Sequence, residues 1–185
     1  MSSISNRALE ALAQAEELVD ERGVQFAIDQ TALRIAVELR ESDPIVMCVM
    51  HGGLPYTAEL MKRFGFPLEL SYVHVGRYAN GTRGGILNWY ARPKIDLADR
   101  NVLIVDDVLD KGETLSALVA WVADEGAKRV RTTVLVLKEV ARGSRIEVDY
   151  VALRLPDRYL FGCGMDYRGY WRNLGSIYAL HESME

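Results

Sequence analysis

Apolar positions along this chain follow two different periods. Over residues 6–22 and again over 24–40 they recur every three or four residues, the spacing of a helix with one buried face. Ser5 stands where a cap for the first helix belongs, and Gly23 separates the two predicted helices. After Ser42, Asp43 and Pro44 the pattern changes. Ile45–Met50 (IVMCVM) is an unbroken apolar run between turn residues, which predicts a buried strand. Gly52 and Gly53 follow, and residues 54–64 (LPYTAELMKRF) return to helical spacing, with Pro55 tolerated in the first turn.

Beyond that helix the strand pattern dominates. Residues 68–78 (LELSYVHVGRY) and 86–92 (ILNWYAR) read as strands, and Asn80-Gly81 in the NGTRGG between them is a strong hairpin signal. Residues 101–105 (NVLIV) predict another strand, 114–124 a helix closed by Gly126, and 131–137 (RTTVLVL) a strand, with two more in DYVALRL and SIYALHE. Strands alternating with helices predict an α/β fold with a mainly parallel, doubly wound sheet. Ligands of such sheets bind beyond the carboxyl ends of the strands.

Composition narrows the class. A length of 185 residues suits one domain. A chain of that size buries roughly 70% of its unfolded surface, so its core needs no disulfide or metal staple. A net charge of −4 and a pI of about 5.5 give no electrostatic reason to expect nucleic acid or an anionic membrane as partner. Cys48 and Cys163 sit in apolar surroundings, IVMCVM and YLFGCGM, and read as two buried thiols. The first residues, MSSISNRALEAL, lack the basic-then-apolar order of a secretory signal, and no apolar run approaches the 18 or so residues that span a bilayer. The expectation is a soluble, cytoplasmic protein.

The chemistry concentrates in VLIVDDVLDKGETL, residues 102–115. An apolar strand delivers Asp106 and Asp107 to the sheet's carboxyl edge, and Asp110 to Thr114 then turn into a helix. A helix start points backbone N–H groups outward and favours an anion. Gly112 lets the backbone come close, and Thr114 adds a hydroxyl donor, so the turn suits one phosphate monoester. Asp106 and Asp107 repel that phosphate, but carboxylates accept hydrogen bonds from vicinal hydroxyls, as acids do from ribose in dinucleotide sites. A phosphate beside a diol is a ribose 5-phosphate. A Walker A loop and a G-x-G-x-x-G fingerprint are both absent; Gly162-Cys163-Gly164 lacks the third glycine. A capped helix with an ordinary turn would account for one acid, not for three after a buried strand.

That segment resembles the phosphoribosyl-pyrophosphate motif of type I phosphoribosyltransferases. With VMHGG, VGRYANGTRGG, VLVLKE and PDRYLFGCGMDYRGYWRNL in the same order, the chain from about residue 45 to 180 resembles the hypoxanthine-guanine phosphoribosyltransferases, especially bacterial ones. The resemblance implies the type I fold, a mainly parallel twisted sheet flanked by helices with a small hood and a mobile lid hairpin. It divides the single domain, residues 1–185, into N-terminal helices (about 1–42), core sheet (about 43–153) and a hood that binds the base (about 154–185). It implies transfer of the 5-phosphoribosyl group from phosphoribosyl pyrophosphate to a 6-oxopurine, with magnesium as cofactor.

The resemblance also distributes roles. Asp106 and Asp107 match the ribose-hydroxyl acids, and Asp110, Lys111, Gly112, Glu113 and Thr114 the 5-phosphate loop. Asp110 further matches the residue that handles the N7 proton, a placement that suits a carboxylate near N7 as N9 attacks the sugar. Lys138 matches the donor to the 6-oxo group; having only donors, it would meet adenine's amino group badly. Tyr159 matches the stacking aromatic and Leu160 its neighbour that reads the base edge. Asp166 matches a ligand of magnesium pyrophosphate and lies beside the base, with Asp106 and Asp107 as further candidate metal ligands. His51, Gly52 and Arg172 match pyrophosphate contacts, and Arg77 and Tyr78 a lid that excludes water. Relatives often have lysine where this chain has Glu113, so phosphate charge here falls to Lys111. A homo-oligomer, dimer or tetramer, is expected. Two other readings share the scaffold: a nucleotide-sensing regulator that binds nucleic acid, which would want a basic face, and a xanthine-preferring enzyme.

Overall fold

The computed structural model describes residues 3–77, 87–139 and 146–184. Six strands form the main sheet in the order β4-β3-β2-β5-β6-β7: β2 (Ile45–Met50), β3 (Glu69–Arg77), β4 (Leu87–Ala91), β5 (Asn101–Leu109), β6 (Arg129–Glu139) and β7 (Tyr150–Pro156). All neighbours are parallel except β4, which runs antiparallel to β3 at one edge. Helices cover both faces, which is why the central strands read as continuous apolar runs. On one face α2 (Glu21–Leu39) and α3 (Gly53–Arg63) bury Ile28, Ile35, Tyr56 and Leu60 against Val46, Leu103, Val105 and Leu135. On the other, α4 (Glu113–Asp124) buries Leu115, Leu118 and Val122 against Met47, Ile104 and Val134.

The N-terminal region departs from the helical pattern. Helix α1 runs Ser3–Gln14, so Ser5 lies inside it rather than capping it, and the expected helix over 6–22 stops early. Glu16–Val19 forms a strand, β1, antiparallel to β9 (Ile177–Ala179), which pairs in turn with β8 (Leu160–Phe161). Nor does Gly23 separate two helices: it sits in the first turn of α2, where its N–H donates to the Asp20 side chain at 2.8 Å and Asp20 serves as N-cap. The separate three-stranded sheet β1-β9-β8 draws on the N-terminal segment as well as the C-terminal one, where the resemblance implies a hood from about residue 154 alone. Phe161, Tyr167 and Leu180 pack with Ala8 and Ala11 of α1 beneath it. A short 3₁₀ helix, Glu182–Met184, follows. No helix among the described residues is long and apolar enough to cross a membrane.

Candidate active site

Strand β2 stops pairing with β5 at Cys48↔Val105, while β5 continues along β6 as far as Leu109↔Leu137. The acids Asp106 and Asp107 therefore lie where β2 has already turned away, and the turn it makes is the one that starts α3 at Gly52 and Gly53. The two segments touch. A Cβ on Gly52 would lie 1.9 Å from Asp107 Oδ2, and one on Gly53 would lie 2.6 Å from the Val105 carbonyl oxygen. Asp107 Oδ1 accepts from the Val108 N–H at 2.8 Å, and Asp106 Oδ1 from the Asp107 N–H at 3.0 Å. Burial raises the proton affinity of both carboxyls, and the charge of Asp107 raises that of Asp106 further.

Arg172 and Asp166 stand over the same place. The Arg172 guanidinium pairs with the Asp166 carboxylate, donates to the Gly164 carbonyl at 2.6 Å and lies 3.9 Å from Asp107 Oδ2. Asp166 Oδ2 also accepts from the Gly169 N–H at 2.6 Å. Gly164 presses on the turn at Gly52, since a Cβ there would lie 2.1 Å from the Gly52 carbonyl oxygen. His51, at the first position of that turn, is exposed, and its ring lies tilted against that of His74 of β3 with centres 4.4 Å apart; the His74 ring is in turn 4.8 Å from that of Tyr90 of β4. Burial and the neighbouring His51 both lower the proton affinity of His74.

The turn after β5 leads directly into α4. Gly112 is the N-cap residue with φ 74°, a left-handed conformation that favours glycine, and Glu113 begins the helix. Asp110 is half-buried and Lys111 exposed on the approach to it. The first amides of α4 thus open toward the same carboxyl edge of the sheet as the acid pair.

Lys138 and Tyr159 meet in a second cluster, a cleft of about 320 Å³ lined also by Asp157, Arg158, Tyr167 and Arg168. Lys138 Nζ lies 3.6 Å from Asp157 Oδ1. The Tyr159 hydroxyl donates to the Asp166 carbonyl oxygen at 3.2 Å, which joins the cleft to the acid–arginine cluster. Leu160 is buried behind Tyr159 in β8. Arg77 closes the paired part of β3 opposite Leu87, and Tyr78 with the NGTRGG segment lies outside the described residues. Asp106, Asp107 and Asp166 do not converge into a three-carboxylate site; among the described residues no group of three or more His, Cys, Asp or Glu could hold a metal ion. They are nonetheless hard oxygen donors, two of them a half-buried, mutually repelling pair, of the kind magnesium takes together with phosphate oxygens.

Several lining residues escaped the sequence reading. Asp157 and Arg158 stand in the PDRYLFG stretch, and Tyr167 and Arg168 in GMDYRGY, so their motif was the available signal. Cys163, Arg168 and Trp171 have positive φ (46°, 51° and 72°), which concentrates unusual backbone in the segment that carries Asp166 and Arg172.

Comparison with known proteins identifies the fold as the type I phosphoribosyltransferase fold. A phosphoribosyl transferase domain is matched over residues 14–168. The chain is 30% identical over 164 residues to the hypoxanthine-guanine phosphoribosyltransferase of Bacillus subtilis, covering 88% of this chain and 91% of that one. It is 33% identical over 161 residues to the bifunctional protein TilS/HprT of Listeria innocua, where the match covers 86% of this chain and spans 25% of the relative's length. In structure it superimposes with a TM-score of 0.87 on a hypoxanthine phosphoribosyltransferase from Staphylococcus aureus, at 23% identity, covering 99% of this chain and 97% of that one.

Proposed function

The chain belongs to the phosphoribosyl transferase domain family, on the branch of the hypoxanthine-guanine enzymes, and from that premise we propose that it is a purine-salvage transferase. It moves the 5-phosphoribosyl group from phosphoribosyl pyrophosphate to N9 of hypoxanthine or guanine, giving IMP or GMP and pyrophosphate. One observation carries the reading: a half-buried acid pair packed on a glycine turn shares its sheet edge with a lysine–tyrosine cleft. That edge offers separate places for a sugar phosphate and a flat base.

In this reading the amides at the start of α4, with Lys111 and Thr114, hold the 5-phosphate. Asp106 and Asp107 accept the ribose hydroxyls. The Gly52 turn and Arg172 receive the diphosphate, for which a forked guanidinium is suited. Tyr159 stacks on the base and Lys138 donates to its 6-oxo group. Asp110, on the turn between β5 and α4, takes the N7 proton and helps stabilise the positive charge that develops on the sugar. Magnesium would be held chiefly by phosphate oxygens, with Asp166 on one side or the Asp106–Asp107 pair on the other completing its shell; when bound, the ion would offset the charge of the departing diphosphate.

The same reading places the enzyme in the cytoplasm, in keeping with the free, buried thiols of Cys48 and Cys163. It is a homo-oligomer, dimer or tetramer. Phe26, Leu33 and Val37 leave α2 with exposed apolar side chains of the kind a second copy covers. Light scattering on the purified chain tests the assembly. The activity is tested by nucleotide formation with phosphoribosyl pyrophosphate and magnesium, offering hypoxanthine, guanine, xanthine, adenine and uracil separately. Turnover of hypoxanthine and guanine with adenine and uracil inert is expected; absence of turnover with every base would overturn it.

A further inference from the structure

The base cleft has an unequal supply of donors and acceptors. Lys138 and Arg168 bring only N–H donors, and Arg168 lies with its guanidinium 5.4 Å from the centre of the Tyr167 ring. Arg158 is held by Glu16 and by the Leu180 carbonyl at 3.2 Å. Two further acceptors, one lining the cleft and one beside it, are engaged as well. The Asp157 carboxylate faces Lys138 at 3.6 Å, and the Asp166 carbonyl oxygen takes the Tyr159 hydroxyl at 3.2 Å.

The second of these contacts bears on the choice of base. Tyr159 is partly exposed to the cleft, 39% of its surface remaining accessible, and its hydroxyl is the far end of the ring on which a base would lie. In the proposed pose, with the base on that ring and its 6-oxo group toward Lys138, the opposite edge of the purine would face the Asp166 carbonyl that the hydroxyl occupies. An oxo or hydrogen substituent there leaves the hydroxyl's hydrogen bond intact. An amino substituent needs an acceptor, and to use this one it must compete with the hydroxyl. Burial raises the proton affinity of the Tyr159 phenol, so the hydroxyl keeps its proton and remains a donor at neutral pH.

We infer that the Tyr159 hydroxyl is a specificity-determining group: by occupying the Asp166 carbonyl it makes the site favour hypoxanthine, which lacks a 2-amino group, over guanine. The inference rests on the proposed activity and adds to it the group that ranks its two substrates. A neutral hydrogen bond of this kind corresponds to roughly a fivefold effect on a ratio of rates or affinities. Discrimination of that modest size is what one displaced contact can give; rejection by several orders of magnitude would need an unpaired buried group.

The test compares wild type with Tyr159→Phe, which keeps the ring and removes the hydroxyl. In both proteins kcat/KM is measured for hypoxanthine and guanine at saturating phosphoribosyl pyrophosphate and magnesium, and binding of IMP and GMP is measured by calorimetry. Expected are a wild-type preference for hypoxanthine and IMP, and a guanine-to-hypoxanthine ratio that rises about fivefold in Tyr159→Phe. A wild type that prefers guanine, or a ratio unmoved by the substitution, overturns the inference while leaving the transferase reading intact. Absence of turnover with either base overturns the transferase reading instead; the hydroxyl's role then stands or falls on whether Tyr159→Phe shifts the GMP-to-IMP affinity ratio.

Discussion

The carboxylate of Asp107 lies directly on the Cα of Gly52, in the space a side chain would occupy: a Cβ added there falls 1.9 Å from Oδ2 and 2.4 Å from Cγ. The glycine is thus required by close approach. It brings the β2–α3 turn, whose amides are the proposed diphosphate contacts, against the acid that is the proposed ribose contact. Gly52→Ala must push the Asp107 carboxylate away and break its 2.8 Å hydrogen bond from Val108 N–H. Overpacking of this kind costs about 1–3 kcal/mol. The expected result is a lower melting temperature together with a raised KM for phosphoribosyl pyrophosphate. A variant with wild-type kinetics would show that the turn and the acid act independently.

Asp106 is a liability that the fold tolerates. Its carboxyl is desolvated by burial and repelled by Asp107, and both effects oppose the charged form. An amide of the same shape removes the charge. In metal-free protein at neutral pH, Asp106→Asn should therefore melt higher than wild type, by about 2–4 °C for each kcal/mol recovered in a chain of this size. Activity should fall in the same variant, because an amide accepts ribose hydroxyls less strongly than a carboxylate. Thermal denaturation and steady-state kinetics check the two halves separately. A variant that loses both stability and activity would mean the pair is held by contacts that favour its charge.

How much of this arrangement the letters reveal depends on how local its cause is. The apolar runs at Ile45–Met50 and in β5 are legible because both sheet faces are covered, and the acids stand out because they interrupt such a run. Strand β1 is not legible: Glu16, Glu17, Leu18 and Val19 keep helical spacing with what precedes them, and the partner that makes them a strand is Ile177–Ala179 at the other end of the chain. For the same reason β5 runs on to Leu109, past the acids, because β6 still pairs there. The contacts of Gly164 with Gly52 and of Arg172 with Asp107 depend on a backbone with left-handed residues at Cys163, Arg168 and Trp171, conformations that non-glycine letters do not announce.

Away from the site, Glu38 ties α2 to the sheet. It accepts from the Tyr150 hydroxyl and from Arg131 Nε and Nη2 at 2.8 and 2.7 Å, and Arg129 Nη1 lies 2.9 Å away. The hydrogen bond from Tyr150, then that from Arg131, hold its carboxyl below the ordinary value of 4.5. A carboxyl whose folded value is lowered contributes stability above its unfolded value, and that contribution is lost as pH falls through the folded one. Glu38→Gln should therefore melt below wild type at pH 7, with the gap narrowing as the pH drops under about 4.5. A gap that stays constant with pH would assign the effect to packing, not to charge.

Lys138 gives the sharpest test of base recognition. It stands one residue before the end of β6 with its side chain only 16% exposed, 3.6 Å from Asp157, so a carboxylate holds its ammonium at the cleft. If it reads a 6-oxo group, the contact is a charge-assisted hydrogen bond, worth about 1.5–3 kcal/mol or roughly 10- to 150-fold in kcat/KM. Lys138→Gln offers both a donor and an acceptor in its place. It should lose activity toward hypoxanthine by about that factor while losing little or nothing toward adenine, so the preference between them collapses. Asp157→Asn separates recognition from placement: it keeps the ammonium but loosens its tether, and should raise KM for the base with the oxo-over-amino preference retained. Should Lys138→Gln instead lower both bases equally, the lysine would be serving the cleft's structure, and the 6-oxo group would be read by backbone.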